Sequence, residues 1–184
     1  MAHYRFESEW ELEAPIDRVF ELLSHPEEFQ RWWPSVTDSR RLEEGDEDGV
    51  GAVAAYTLRS PVLYSMDFQA KVLEVERPRR IHTLVRGDLI GTGTYELEQR
   101  EGRTMVRFLW YVSTTRRWMN VVAPVARPLF VWAHHHVMRE GAAAMAAHFG
   151  GRLIGIKTWV VDRTPPEQAP PALAEGDHQI ARGS

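Results

Sequence analysis

Between Tyr4 and Leu12 the even positions carry Tyr4, Phe6, Ser8, Trp10 and Leu12, while the odd ones carry Arg5, Glu7, Glu9 and Glu11. A period of two marks a strand with one face on a core. Ala14-Pro15 follows at once. Pro15 suits a first helical position and Asp17 favours the positive helix N-terminus. Ile16, Val19, Phe20 and Leu23 share one side, which predicts a helix over about Ile16 to Leu23. Ser24-His25-Pro26-Glu27 restarts the chain with the Ser/Glu spacing of a capping box, and Pro34 stops this second short helix near Trp32.

From Val36 the pattern becomes strands separated by turn chemistry: Gly45-Asp46-Glu47-Asp48-Gly49, then Arg59-Ser60-Pro61, then Glu76-Arg77-Pro78. Val62, Tyr64, Met66, Phe68, Ala70 and Val72 hold one parity, and Thr104, Val106, Phe108, Trp110 and Val112 repeat the device. Between them, Ile81 to Arg86 and Leu89 to Glu98 read as two strands joined at Gly87-Asp88, an inverted form of a type I′ hairpin signal. The whole is an antiparallel meander.

After Ser113 the period turns helical until Gly150-Gly151, where paired glycines end the element. Pro124 and Pro128 each remove an amide donor, so a break or kink is expected there, with the regular helix from about Leu129 to Phe149. Residues 1–162 form the predicted domain. Residues 163–184, with four prolines and little apolar content, read as a disordered tail.

Composition narrows the function classes. At 184 residues and 43% apolar content the chain supports one core, burying roughly 70% of its unfolded surface. It has no Cys, which excludes disulfides, thiolate metal sites and cysteine nucleophiles. A net charge of -4 with no basic run argues against nucleic acid. No apolar run approaches the ~20 residues of a membrane span and no secretory signal is visible, so the expected compartment is the cytoplasm. Neither a serine-hydrolase elbow, a Walker loop, a dinucleotide fingerprint nor a His-Glu-x-x-His motif is present. His134-His135-His136 point about 100° apart on a helix and cannot share one metal, so no metal and no cofactor are expected.

Trp10 with Ala14-Pro15-Ile16-Asp17-Arg18-Val19-Phe20, the Glu28-Phe29-Gln30-Arg31-Trp32-Trp33-Pro34 segment, Gly87-Asp88-Leu89-Ile90-Gly91-Thr92-Gly93, and a last helix carrying Trp132, His134 to His136 and Val137-Met138 occur in a telling order. Over about Tyr4 to Phe149 this order resembles the START/Bet v 1-like superfamily, in particular its polyketide cyclase/dehydrase and lipid-transport branch. The resemblance implies an α+β helix-grip fold: a curved antiparallel sheet wrapped around the C-terminal helix, two short helices after the first strand, and an apolar pocket between sheet and helix. With the apolar strand faces inward, Trp10, Tyr56, Tyr64, Met66, Phe68, Tyr95, Phe108 and Trp110 approach that pocket, and Gly91 and Gly93 leave space on the same face. Packing of an ordinary core is the alternative for each aromatic.

On the helix, His136 and Glu140 are four apart, with Trp132 and Leu129 on the same side. They are pocket candidates, and His136, Glu140 and Tyr95 are the candidate proton-transfer groups. An ordinary helix pair with Glu140 near solvent is the simpler reading of the same spacing and is preferred. Three functions follow: binding of a hydrophobic small molecule (lipid, isoprenoid or polyketide-like aromatic) for transport or sensing; a cyclase or aromatase using those polar groups; and a protein-interaction domain presenting an exposed Trp32-Trp33 ledge. The binding reading needs only a cavity and is preferred over an enzyme.

Overall fold

The computed structural model describes residues 2–62 and 64–161; the predicted tail, 163–184, lies outside them. The opening alternation forms β1, His3–Leu12, whose even residues are buried because the pleat sends them all to one side. α1, Ile16–Ser24, buries Val19, Phe20, Leu22 and Leu23. Its Ile16 amide donates to the side-chain oxygen of distant Gln99 at 2.8 Å, so tertiary structure supplies the cap. A 3₁₀ turn, Pro26–Glu28, leads into the single turn of α2, Phe29–Trp32. The expected capping box does not form. Pro26 opens a 3₁₀ turn rather than an α-helix, and the Ser24 hydroxyl instead donates back to the Phe20 carbonyl at 2.9 Å.

β2 (Val36–Glu43), β3 (Val53–Arg59), β4 (Ser65–Glu76), β5 (Arg80–Gly87), β6 (Leu89–Arg100) and β7 (Arg103–Thr114) are the predicted meander. α3 runs Arg117–His148 and β8 Leu153–Val160. All eight strands join one antiparallel sheet in the order β2-β3-β4-β5-β6-β7-β1-β8. The register sets Tyr56 opposite Phe68, Tyr95 opposite Phe108 and Gly93 opposite Trp110. The fold is the expected helix grip.

Two features depart from the sequence pattern. α3 is one continuous helix, so the prolines do not break it, and Pro128 stands on an exposed side of the helix. β8 adds an edge strand beyond Gly150-Gly151 that pairs with β1, Phe6 to Leu12 against Val160 to Leu153. Gly87-Asp88 is also more than a hairpin tip. The Asp67 amide donates to the Asp88 carboxylate at 2.8 Å, the Thr115 amide donates to the Asp88 carbonyl at 2.9 Å, and Arg116 pairs with the same carboxylate. This joins β4, the β5–β6 turn and the start of α3.

The buried residues divide into two clusters. One unites Trp10, Leu12, α1, α2, Trp33, Val106 and the end of α3 from Val137 to Ala146. The other unites Tyr4, Phe6, Val85, Leu89, Val112, Met119 and Phe130. Trp110 packs against both. Between them most inward residues of β3 and β4, among them Tyr56, Leu58, Met66, Phe68, Ala70 and Val72, stay only partly buried. A solidly filled interior would bury them, so the split core already announces a hollow.

Candidate functional site: an aromatic cavity between sheet and helix

The hollow has a volume of about 300 Å³ and is walled mainly by apolar side chains. Alternation along β3, β4, β6 and β7 places Tyr56, Met66, Phe68, Tyr95, Phe108 and Trp110 on its sheet side. These rings interlock: Tyr56 stacks on Phe68 at 5.2 Å, Tyr95 on Phe108 at 4.4 Å, and Phe108 on Trp110 at 5.4 Å between centroids. Phe130, Ala133, His134 and Val137 of α3 close the opposite side, and Tyr4, Phe6, Tyr64 and Met119 wall one end. At the other end the exposed residues of the wall, Glu44, Asp46, Glu47, Asp48 and Arg77, mark where the cavity meets solvent.

Away from the entrance, the polar groups of the described wall are few and uncharged. The phenols of Tyr56 and Tyr95 have no protein hydrogen-bond partner among the described residues, and burial pushes both far above the ordinary phenol range, so both remain protonated donors. Tyr4 is 5% exposed, and its hydroxyl is likewise buried and unpartnered. His134 lies flat on Phe6, with centroids 3.8 Å apart at 12°, and its Nε2 is buried without a partner. Burial, helped by neighbouring His135, drives its pKa down to about 3, so the ring is neutral at ordinary pH. Each of these atoms is a vacancy in the hydrogen-bonding account that a guest could fill.

The basic groups beside the entrance are held by acidic partners or an aromatic ring. Arg41 pairs with Glu27 at 2.8 Å, and His25 bridges Glu21 at 2.9 Å and Glu27 at 3.2 Å. Arg77 stacks over the Phe20 ring at 5.2 Å. The hydrogen bond to Glu21, opposed by burial, raises the His25 pKa.

Of the residues read from the sequence, Tyr56, Tyr64, Met66, Phe68, Tyr95, Phe108 and Trp110 reach the cavity. Trp10 does not: it is fully buried in the solid cluster, edge-on to Trp33 at 6.1 Å. Neither glycine opens the wall directly. A Cβ on Gly93 would stand 2.9 Å from the Trp110 ring, so the missing side chain seats that indole. Gly91 has φ 149 and faces the Tyr111 carbonyl, which makes its role one of backbone geometry.

Leu129, Trp132 and His136 lie on the exposed side of α3, away from the cavity. His136 tilts against Trp132 at 5.6 Å, while Glu140 accepts a hydrogen bond from the Ser35 hydroxyl, so the expected His136–Glu140 pair is not assembled. The cause is a helix with two apolar stripes: the inward one runs through Ala126, Phe130, Ala133 and Val137, one position along from the stripe chosen by spacing. Trp32 and Trp33 form no exposed ledge. They are 8% and 4% exposed, and the Trp33 indole fills a notch at Gly141 and donates to the Val137 carbonyl at 3.2 Å. Sequence reasoning missed Tyr4, Phe6 and His134, although Tyr4 and Phe6 share the inward parity of β1.

A helix-grip sheet closed over an aromatic-lined cavity defines a class of small-molecule-binding scaffold. The chain belongs to the family described as polyketide cyclase / dehydrase and lipid transport, whose model matches residues 3–150. No curated protein matches the sequence. Among solved structures, a START superfamily protein from Mycobacterium smegmatis superposes with a TM-score of 0.65 at 15% identity, covering 80% of this chain and 97% of that one. The Zhui aromatase/cyclase from Streptomyces sp. R1128 gives 0.65 at 14%, with 81% and 94% covered. Ginseng major latex-like protein 151 from Panax ginseng gives 0.62 at 11%, with 81% and 99% covered. At such identities the likeness is one of fold.

Proposed function

We propose that this protein binds a hydrophobic small molecule in the cavity for transport or sensing, the guest being a lipid, isoprenoid or polyketide-like aromatic. The observation that carries this reading is an apolar hollow of about 300 Å³ whose buried phenols and imidazole lack protein partners. Covering ~300 Å² of apolar ligand surface contributes on the order of 7 kcal/mol before association costs, enough for micromolar binding without a catalytic group. The guest's buried polar atom is uncharged, a hydroxyl or carbonyl, since Arg41, the largely buried cation among the described wall residues, is already paired with Glu27. The ligand-contacting set is Tyr56, Tyr64, Met66, Phe68, Tyr95, Phe108 and Trp110, joined by Tyr4, Phe6 and His134.

A cyclase or aromatase reading draws on the family description and on two phenols, Tyr56 and Tyr95, that line one cavity. Against it, burial makes both phenols reluctant proton donors, and His134 is held neutral without an orienting partner.

Native mass spectrometry of protein purified from its own organism, with titration of the emptied protein by the neutral probe N-phenyl-1-naphthylamine, tests the proposal. A copurified hydrophobic mass and one probe site of micromolar affinity, weakened roughly tenfold by Tyr95→Phe together with His134→Phe, are expected. Absence of both a copurified mass and probe uptake would defeat it. Conversion of the released compound to a new mass on incubation with fresh protein would favour the cyclase.

A further inference from the structure

The outer face of α3 carries more apolar surface than an ordinary exposed helix. Trp118, Val121, Val122, Val125, Leu129 and Trp132 are all exposed, Val121 by 78% and Val125 by 88%. At 100° per residue these six fall within an arc of about 100°, and the stripe from Trp118 to Trp132 is about 21 Å long. Such a contiguous patch marks an interaction surface.

Charge selects the partner. From Arg116 to Arg139 the sequence holds four arginines and three histidines and no acidic residue, in a chain whose net charge is -4. Arg116 is neutralised by Asp88. Arg117, next to Trp118, and Arg139, two turns beyond Trp132, are exposed and have no carboxylate partner among the described residues. Arg127 is exposed as well, its guanidinium over the Tyr4 ring at 5.7 Å. The acidic side chains of the cavity wall, Glu44, Asp46, Glu47 and Asp48, all lie in the β2–β3 connection at the other end. The protein is therefore polarised, and its basic end is also its greasy one.

We propose that this stripe docks on the surface of an anionic lipid bilayer, with Trp118, Val121, Val125, Leu129 and Trp132 seated at the headgroup boundary and Arg117 and Arg139 against lipid phosphates. A tryptophan at either end and arginines at the rim fit an interfacial, in-plane helix. The opposite face of the same helix supplies Met119, Phe130 and His134 to the cavity, so docking sets one wall of the cavity against the membrane. A source and destination for an apolar guest then lie next to its container.

Flotation of the full chain with vesicles tests this without any cavity ligand, so its failure leaves the binding reading of the cavity untouched. Vesicles of equal parts phosphatidylcholine and phosphatidylglycerol should retain the protein roughly tenfold better than phosphatidylcholine alone, with the advantage lost at high salt. Val121→Glu with Val125→Glu, and separately Arg117→Glu with Arg139→Glu, should each lower retention by roughly tenfold; all four residues are exposed, so folding is preserved. Bilayer-brominated lipid should quench wild-type tryptophan emission, and less so after Trp118→Phe with Trp132→Phe. Equal retention on both vesicle types, or variants that float like wild type, would overturn the proposal. So would light scattering that shows a dimer split by the valine variants, which would assign the face to a second copy of the chain.

Discussion

Acidification should strain the protein through His134, and the size of the effect follows from where that ring sits. Its pKa falls from the ordinary 6.5 to about 3 because it is buried flat against Phe6 with no acceptor at Nε2. The unfolded chain therefore binds a proton that the folded one refuses, so stability rises with pH: the contribution is intact above the unfolded pKa and is lost as pH falls from about 6.5 toward 3. Between about pH 7.5 and about pH 5 the loss is roughly 2 kcal/mol, and any folded value below about 4 gives nearly the same figure, because at pH 5 the folded ring is neutral either way. For a domain of this size that is a fall in Tm of about 4–8 °C. Other groups titrate in the same window, so the informative quantity is the difference between wild type and His134→Phe, which keeps the stack on Phe6 and cannot be protonated. Differential scanning calorimetry at both pH values should show the variant losing about 2 kcal/mol less than wild type. Parallel pH dependence in the two proteins would show that the ring finds a proton acceptor or solvent, and the account of an unpartnered polar atom in the cavity wall would fall with it.

Two further outcomes are expected. Gly93→Val should displace the Trp110 indole that rests over the missing Cβ, lowering stability by about 1–3 kcal/mol in urea unfolding and shifting tryptophan emission; a variant of wild-type stability and spectrum would show that the indole does not need that seat. Ser35→Ala should cost about 1–2 kcal/mol in the same assay by leaving Glu140 without its hydroxyl partner, whereas His136→Ala should change stability by less than about 0.5 kcal/mol. The reverse order would restore the His136–Glu140 pair.

Local periodicity determined most of the architecture. Alternation in β1, β4 and β7 and the proline-opened α1 follow from which side chains can face a core, a property of neighbouring residues. Residue order alone therefore supported the fold and the aromatic sheet wall of the cavity, since a strand has two faces and only one was apolar. α3 was ambiguous because it has apolar residues nearly all round. Leu129 and Trp132 on one stripe and Phe130 and Ala133 on the other are equally good candidates until a sheet covers one of them. Only tertiary contact made that choice, placing His134 rather than His136 inside and joining Glu140 to Ser35 across 105 positions. The same holds for Gly93, whose empty side was given to Trp110 by strand register. The hollow itself has no local signature. It exists because two well-packed clusters at opposite ends of one sheet hold their walls apart, and how far apart is set by the curvature of eight strands together.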